Sequence, residues 1–185
     1  MRAWVCFLTL CLAHGAAFAD KAEQERKDIQ KIEQDTLAKL YSVQPSAKGV
    51  IDGAAGYAVF SNFGVKILVA GSGSGKGVAV NRKTGQRTYM RMGELQAGIG
   101  IGVKKFKVVF VFETPDKLDS FVNQGWEFGG QTTAAATTGD RGAAMQGALA
   151  VAPGVWMYQL TDKGLALEAT VKGTKYWKDA DLNKG

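Results

Sequence analysis

Residues 65–80 read VKILVAGSGSGKGVAV, an apolar run that passes into four alternating glycines and returns to a second apolar run. Two folds compete for this stretch. A phosphate-binding loop needs a strand, a glycine turn, a lysine and then a Ser or Thr hydroxyl at the head of a helix. Here Gly77 occupies the hydroxyl position, and the residues that follow, GVAVNRKTGQRTYMRM, carry the turn Lys83-Thr84-Gly85 where a helix should begin. The stretch therefore reads as strand. Alternation places Val65, Ile67 and Val69 on one face with Gly71, Gly73, Gly75 and Gly77, and Lys76 on the opposite face. Ala97–Val103 repeats the pattern with Gly98, Gly100 and Gly102. Rows of glycine inside strands weaken them, so they mark tight bends, bulges or the close approach of another backbone. The expectation is a strongly curved sheet or small barrel.

Outward from this stretch, period-two patterning predicts strands at Tyr57–Phe60, Val65–Ala70, Gly77–Val80, Gln86–Met92, Ala97–Val103 and Phe106–Glu113. Thr114-Pro115-Asp116 starts a short helix, with Leu118, Phe121 and Val122 on one face and Gly125 beyond its end. Strands resume at Trp126 and continue through the small-residue tract 131–152, GVWMYQL and the alternating LALEATVKGTKY. Upstream, residues 20–41 place Ile29, Ile32, Thr36, Leu37 and Leu40 at helical steps, which predicts an amphipathic helix docked on the body. Residues 42–56 read as a loop with a weak helical turn. The fold class is α+β: an N-terminal helix packed on a strongly curved, mainly antiparallel β-sheet or small barrel with one short helix inserted. Residues 1–19 read as a signal peptide, 20–56 as the helix and loop, and 57–185 as the glycine-rich β domain, the last two forming one unit.

The leader reading rests on MRAWVCFLTLCLAHGAAFAD, where a basic residue precedes a short apolar run and Ala17-Phe18-Ala19 offers a cleavage site before Asp20. Cleavage after Ala19 predicts a periplasmic or secreted protein and removes Cys6, Cys11 and His14, which are all the cysteines and histidines of the chain. That excludes Cys and His nucleophile–base pairs, thiolate or histidine zinc sites and disulfides. The remaining Ser–Lys spacings, paired carboxylates and the Asp179, Asp181, Asn183 series form no catalytic or calcium-binding constellation. No catalytic residue, metal or cofactor is expected.

Charge is unevenly spread. Residues 20–41 carry five basic and six acidic side chains, whereas 76–107 carry eight basic ones against Glu94 alone. Such a patch suits an anionic partner, and export argues against nucleic acid. Lys76, Arg82, Lys83, Arg87 and Arg91, around the basic turn, are the candidate anion-facing residues. Trp126, Trp156 and Trp177 are divided between interface anchoring and packing, with at least two expected in the core.

The segment GYAVFSNFGVKILVAGSGSGKGVAV, the basic turn, GELQAGIGIGVKKFKVVFVFE and the helix TPDKLDSFVN together resemble the SYLF-domain family, and the likeness extends through GLALEATVKGTKYW. The order of these elements carries the resemblance more than any one motif. It implies a non-enzymatic domain that binds phospholipid, acidic phosphoinositides in eukaryotic members, some of which are actin-associated. In those members an N-terminal amphipathic helix accompanies membrane contact, and residues 20–41 depart from its strongly basic version. The function expected is an exported, non-enzymatic lipid-binding protein that makes peripheral contact with phospholipid or another anionic envelope surface. The alternative is an envelope scaffold with protein partners. An integral outer-membrane barrel is disfavoured by short strands and a polar C-terminus.

Overall fold

The computed structural model describes residues 6–67, 70–97, 102–128, 147–166 and 173–184. Among the described residues three helices, α1 (Cys6–Val43), α2 (Ser46–Gly53) and α3 (Pro115–Gln124), accompany nine strands. The strands are β1 (Gly56–Ile67), β2 (Ala70–Asn81), β3 (Arg87–Ala97), β4 (Gly102–Phe112), β5 (Trp126–Phe128), β6 (Leu149–Ala152), β7 (Val155–Thr161), β8 (Gly164–Ala166) and β9 (Thr174–Lys178). They form one strongly curled antiparallel sheet in the order β5-β9-β3-β2-β1-β4-β7-β6, with β8 also paired to β7. The predicted α+β class and the helix inserted after β4 are both present.

The opening stretch is divided between two strands. Ile67 stands opposite Ala70 at the end of the β1–β2 register, so the predicted strand Val65–Ala70 is replaced by a chain reversal between those residues. Alternation cannot reveal this, because both arms of the hairpin are compatible with a single long pattern. The glycines then lie in β2, opposite β1 and β3. A Cβ on Gly77 would strike the Phe60 ring and the Val59 carbonyl, and one on Gly75 would lie 2.6 Å from Met92 Cγ. The glycine row is thus the space that Phe60 and Met92 occupy. Of the second glycine row, Gly98 and Gly100 lie outside the described residues, as do residues 131–146 of the small-residue tract.

Each face of the sheet buries its own core. On one face Phe60, Phe110, Phe112 and Met92 pack with Leu118 and Phe121 of α3. Tyr176 from β9 closes this cluster, its ring centroid 4.8 Å from that of Phe60 and 5.1 Å from that of Phe110. Val59, Val78, Val109 and Tyr158 on the other face receive Ile29 and Leu40 of α1 and Ile51 of α2. Ile29, Leu40 and Ile51 are completely buried, each contributing about 1.5–3 kcal/mol of apolar burial. This is the docked helix that the Ile29–Leu40 spacing predicts. The segment read as a weak turn is a full two-turn helix, α2, because Ala47 and Ile51 reach the core together.

Helix α3 begins after Thr114, which is extended but makes no side-chain cap, and ends at Gly125 with φ +69°. Of the predicted strand LALEATVKGTKY, the described ends lie in two different strands, β8 against β7 and β9 against β3, and residues 167–172 lie outside the described residues. Of the three tryptophans, Trp126 packs against Phe121 at 5.5 Å. Trp156 is half-buried beside the α1 cluster and donates to Glu113 Oε1 at 2.9 Å, whereas Trp177 is 39% exposed.

After β9 the chain is tied back by side chains. Asp179 Oδ1 accepts the N–H groups of Asp181 (2.9 Å) and Leu182 (3.0 Å), an Asx-type turn. The Asn183 amide accepts from Tyr89 N–H (3.0 Å) and donates to Tyr89 C=O (2.8 Å), continuing the β3 edge where β9 has left it.

Candidate functional site

The five predicted cations are positioned by β2, β3 and the turn between them, and four have carboxylate partners. Lys76 Nζ lies 2.7 Å from Glu25 Oε1 of α1, and Arg82 lies 3.1 Å from Asp52 Oδ1 of α2. Arg87 pairs with Glu33, whose other oxygen accepts the Tyr57 hydroxyl at 2.6 Å. Arg91 reaches Asp179 Oδ2 at 2.5 Å and Glu25 at 3.5 Å. Lys83 is exposed and has no ion pair among the described residues.

These pairs bind the helices and the C-terminus to the sheet. Glu33 is buried at 3% exposure and would be untenable there without Arg87 and Tyr57. Burial, reinforced by the Glu33 carboxylate, pushes the Tyr57 hydroxyl far above its ordinary range, so it remains a donor. For Arg87, burial disfavours the charge, but hydrogen bonding to Glu33 more than offsets it. At Asp179 burial raises the pKa, while the Leu182 N–H, Arg91 and the Asp181 N–H together hold it below the ordinary value. At exposed Asp52 the hydrogen bond from Lys48 lowers it.

Beyond α1, the same face of the sheet continues with no helix over it among the described residues. Phe63 is 50% exposed, Leu95 76% and Trp177 39%. Their common face follows from register: Phe63 stands opposite Ser74, Ser74 opposite Gly93, and Trp177 lies over Gly93, within 3.3 Å of the place a Cβ would take. Lys105, opposite Phe63 on β4, holds its ammonium 5.6 Å from the ring centroid, a cation–π contact. Lys107 follows at the next position on that face. Neither lysine has an ion pair among the described residues.

Two grooves run between α1 and this face, one on each side of Phe63. The first, of about 410 Å³, is lined by Ile32, Phe63, Ser74, Lys76, Arg91 and Trp177 among others. The second, of about 380 Å³, is lined by Lys39, Phe63, Lys105, Lys107, Leu160 and Asp162 among others. Both volumes fall within the range of small-ligand sites. Thus Lys76 and Arg91 border the exposed aromatic face, while Arg82 and Lys83 stand at the far end of the β2–β3 hairpin. Phe63, Lys39, Lys105 and Lys107 are additions to the predicted set. The i, i+2 lysines of β4 were a visible signal, but their meeting with Phe63 depends on the β1–β4 register.

Among the described residues no helix is long and apolar enough to cross a membrane. The family model described as Ysc84, Las17-binding protein actin regulator, matches residues 93–185. The chain is also 38% identical over 165 residues to the Beta cell expansion factor A of Aeromonas veronii, covering 88% of this chain and 60% of that protein. It therefore spans about three-fifths of the length of that relative. The resemblance to SYLF domains is thus supported by the family model over the second half of the chain and by the relative over most of it, and the chain belongs to the Ysc84 (SYLF) family of binding domains.

Proposed function

We propose that this is an exported, non-enzymatic protein that contacts phospholipid or another anionic envelope surface. One observation carries the reading: Phe63, Leu95 and Trp177 are exposed on a single sheet face beside Lys105 and Lys107, which have no carboxylate partner among the described residues. Aromatic and aliphatic anchors ringed by free lysines suit a lipid interface, where apolar side chains enter the acyl boundary and cations meet acidic headgroups. In this proposal Lys76 and Arg91 border the contact and Lys83 adds a second basic point. Arg82 and Arg87 hold α2 and α1 in place. The leader ending at Ala19 supplies the export.

Co-sedimentation with neutral and anionic phosphatidylglycerol vesicles, at low and high salt, tests the contact. Binding should require the anionic lipid, fade with salt as screening shortens the reach of charge to about 8 Å, and weaken at least tenfold in the double variant Phe63→Ser, Leu95→Ser. Equal sedimentation of the variant and wild type would remove this face from the contact. Absence of binding to any vesicle, with salt-resistant co-purification of one protein, would favour the envelope scaffold.

A further inference from the structure

Resting on that lipid reading but separate from surface docking, we infer that the trough alongside α1 is a binding site for a single-chain anionic amphiphile. The anionic head sits among Lys39, Lys105 and Lys107, and the acyl chain lies across Phe63 toward Ile32 and Trp177.

Charge is the first argument. Lys105 and Lys107 alternate on β4, so their side chains leave the same face about 7 Å apart along the strand. Lys107 stands opposite Leu160 of β7, and the next β7 residue, Thr161, accepts a hydrogen bond from Lys39 Nζ at 2.8 Å. Three ammonium groups therefore gather at one end of the trough. None has an ion pair among the described residues, and Asp162 is the carboxylate in that lining. Three like charges beside a single carboxylate repel one another, and an anionic head relieves the repulsion.

The floor is the second argument. Phe63, standing between the two grooves, presents half of its surface to them, and Ile32 and Trp177 continue the apolar lining on its far side. The floor strands cannot accept a peptide strand, because β1 is hydrogen-bonded along both edges, to β2 and to β4. An acyl chain needs no hydrogen bonds and fits such a surface. At the other end of the trough Glu25 and Asp179 together neutralise Lys76 and Arg91, which leaves the Lys39 end as the seat of the head.

The test uses the full mature chain with laurate below the concentration at which it aggregates, lysophosphatidylglycerol as a second head chemistry, and inorganic phosphate as a head without a chain. Binding is read by calorimetry and by Trp177 fluorescence, with Trp177→Phe assigning the optical signal. Saturable binding of laurate or the lysolipid is expected, with the tighter of the two naming the head. Affinity should fall at least tenfold in Lys105→Gln, Lys107→Gln and in Phe63→Ser, but not in Lys117→Gln on α3. Thermal melts establish that each variant is folded. Laurate and lysolipid binding that is absent, or equal in the lysine variant and wild type, overturns the inference. So does phosphate binding as tight as that of the amphiphiles. Vesicle sedimentation without amphiphile binding overturns the trough alone and leaves the surface reading standing.

Discussion

Replacing Gly77 with alanine adds a single methyl group, and its consequence follows from what surrounds it. The new Cβ would collide with the Phe60 ring and with the carbonyl oxygen of Val59. Phe60 is completely buried, with Phe110, Phe121 and Tyr176 at ring-centroid distances of 6.2, 6.1 and 4.8 Å, so it has no room to turn aside. The Val59 carbonyl belongs to a strand paired on both sides and cannot retreat without disturbing the ladder. Overpacking of this kind costs about 1–3 kcal/mol, and two immobile neighbours place Gly77→Ala in the upper half of that range. For a chain of 185 residues, a loss of about 2–3 kcal/mol lowers Tm by roughly 4–12 °C. The matched control is Gly49→Ala in α2, where nothing lies within 4 Å. There alanine should stabilise by about 0.5–1 kcal/mol through its helix propensity. Thermal melts followed by circular dichroism, with urea titration for the free energies, measure both. A Gly77→Ala protein that melts at or above wild type would refute the claim that β2 is glycine-rich to admit Phe60.

Glu33→Ala should destabilise by about 2 kcal/mol, because it strands the Tyr57 hydroxyl and the Arg87 charge; the 38% exposure of Arg87 keeps the loss below that of an enclosed pair. Urea denaturation of Glu33→Ala, Tyr57→Phe and the double variant gives the coupling, and additive losses would contradict the network. At Asp179 the folded pKa lies below the ordinary 3.8, so its stabilisation is present above that value and disappears as pH falls through the folded one. The Tm gap between wild type and Asp179→Asn should therefore be largest near neutral pH and close as pH falls below 3.8 and through the lower folded value; a constant gap would mean that its charge is immaterial.

The sheet, the docked α1 and the inserted α3 were legible because each rests on a local period or a local breaker: Ile29 and Leu40 at helical spacing, the alternation of β3 and β4, Pro115 and Gly125 around α3. The meaning of the cations was not. Arg87 and Arg91 read as free positive charges until Glu33 and Asp179 are placed beside them, and those partners lie 54 and 88 residues away in the chain. Substituting these arginines would remove stability together with charge, so Lys83, Lys105 and Lys107 are the cleaner electrostatic probes. The reversal between Ile67 and Ala70 was hidden for another reason. Two strands of a hairpin with matching alternation are indistinguishable from one longer strand when no Asn-Gly or Asp-Gly pair separates them.

The strand order also bears on what kind of unit the family match identifies. Residues 93–185 contain β4 to β9 but only the last part of β3, and β1 and β2 lie between β9 and β4 in the sheet. The half that the family model matches is therefore two separate flanks of a surface whose middle comes from the other half. Expressed as a fragment, it would present the inner edge of β4 and most of the edge of β9 with no backbone to pair them, an invitation to self-association. The portion that the family model matches therefore cannot be transplanted alone, because its host would have to supply the missing centre of the sheet.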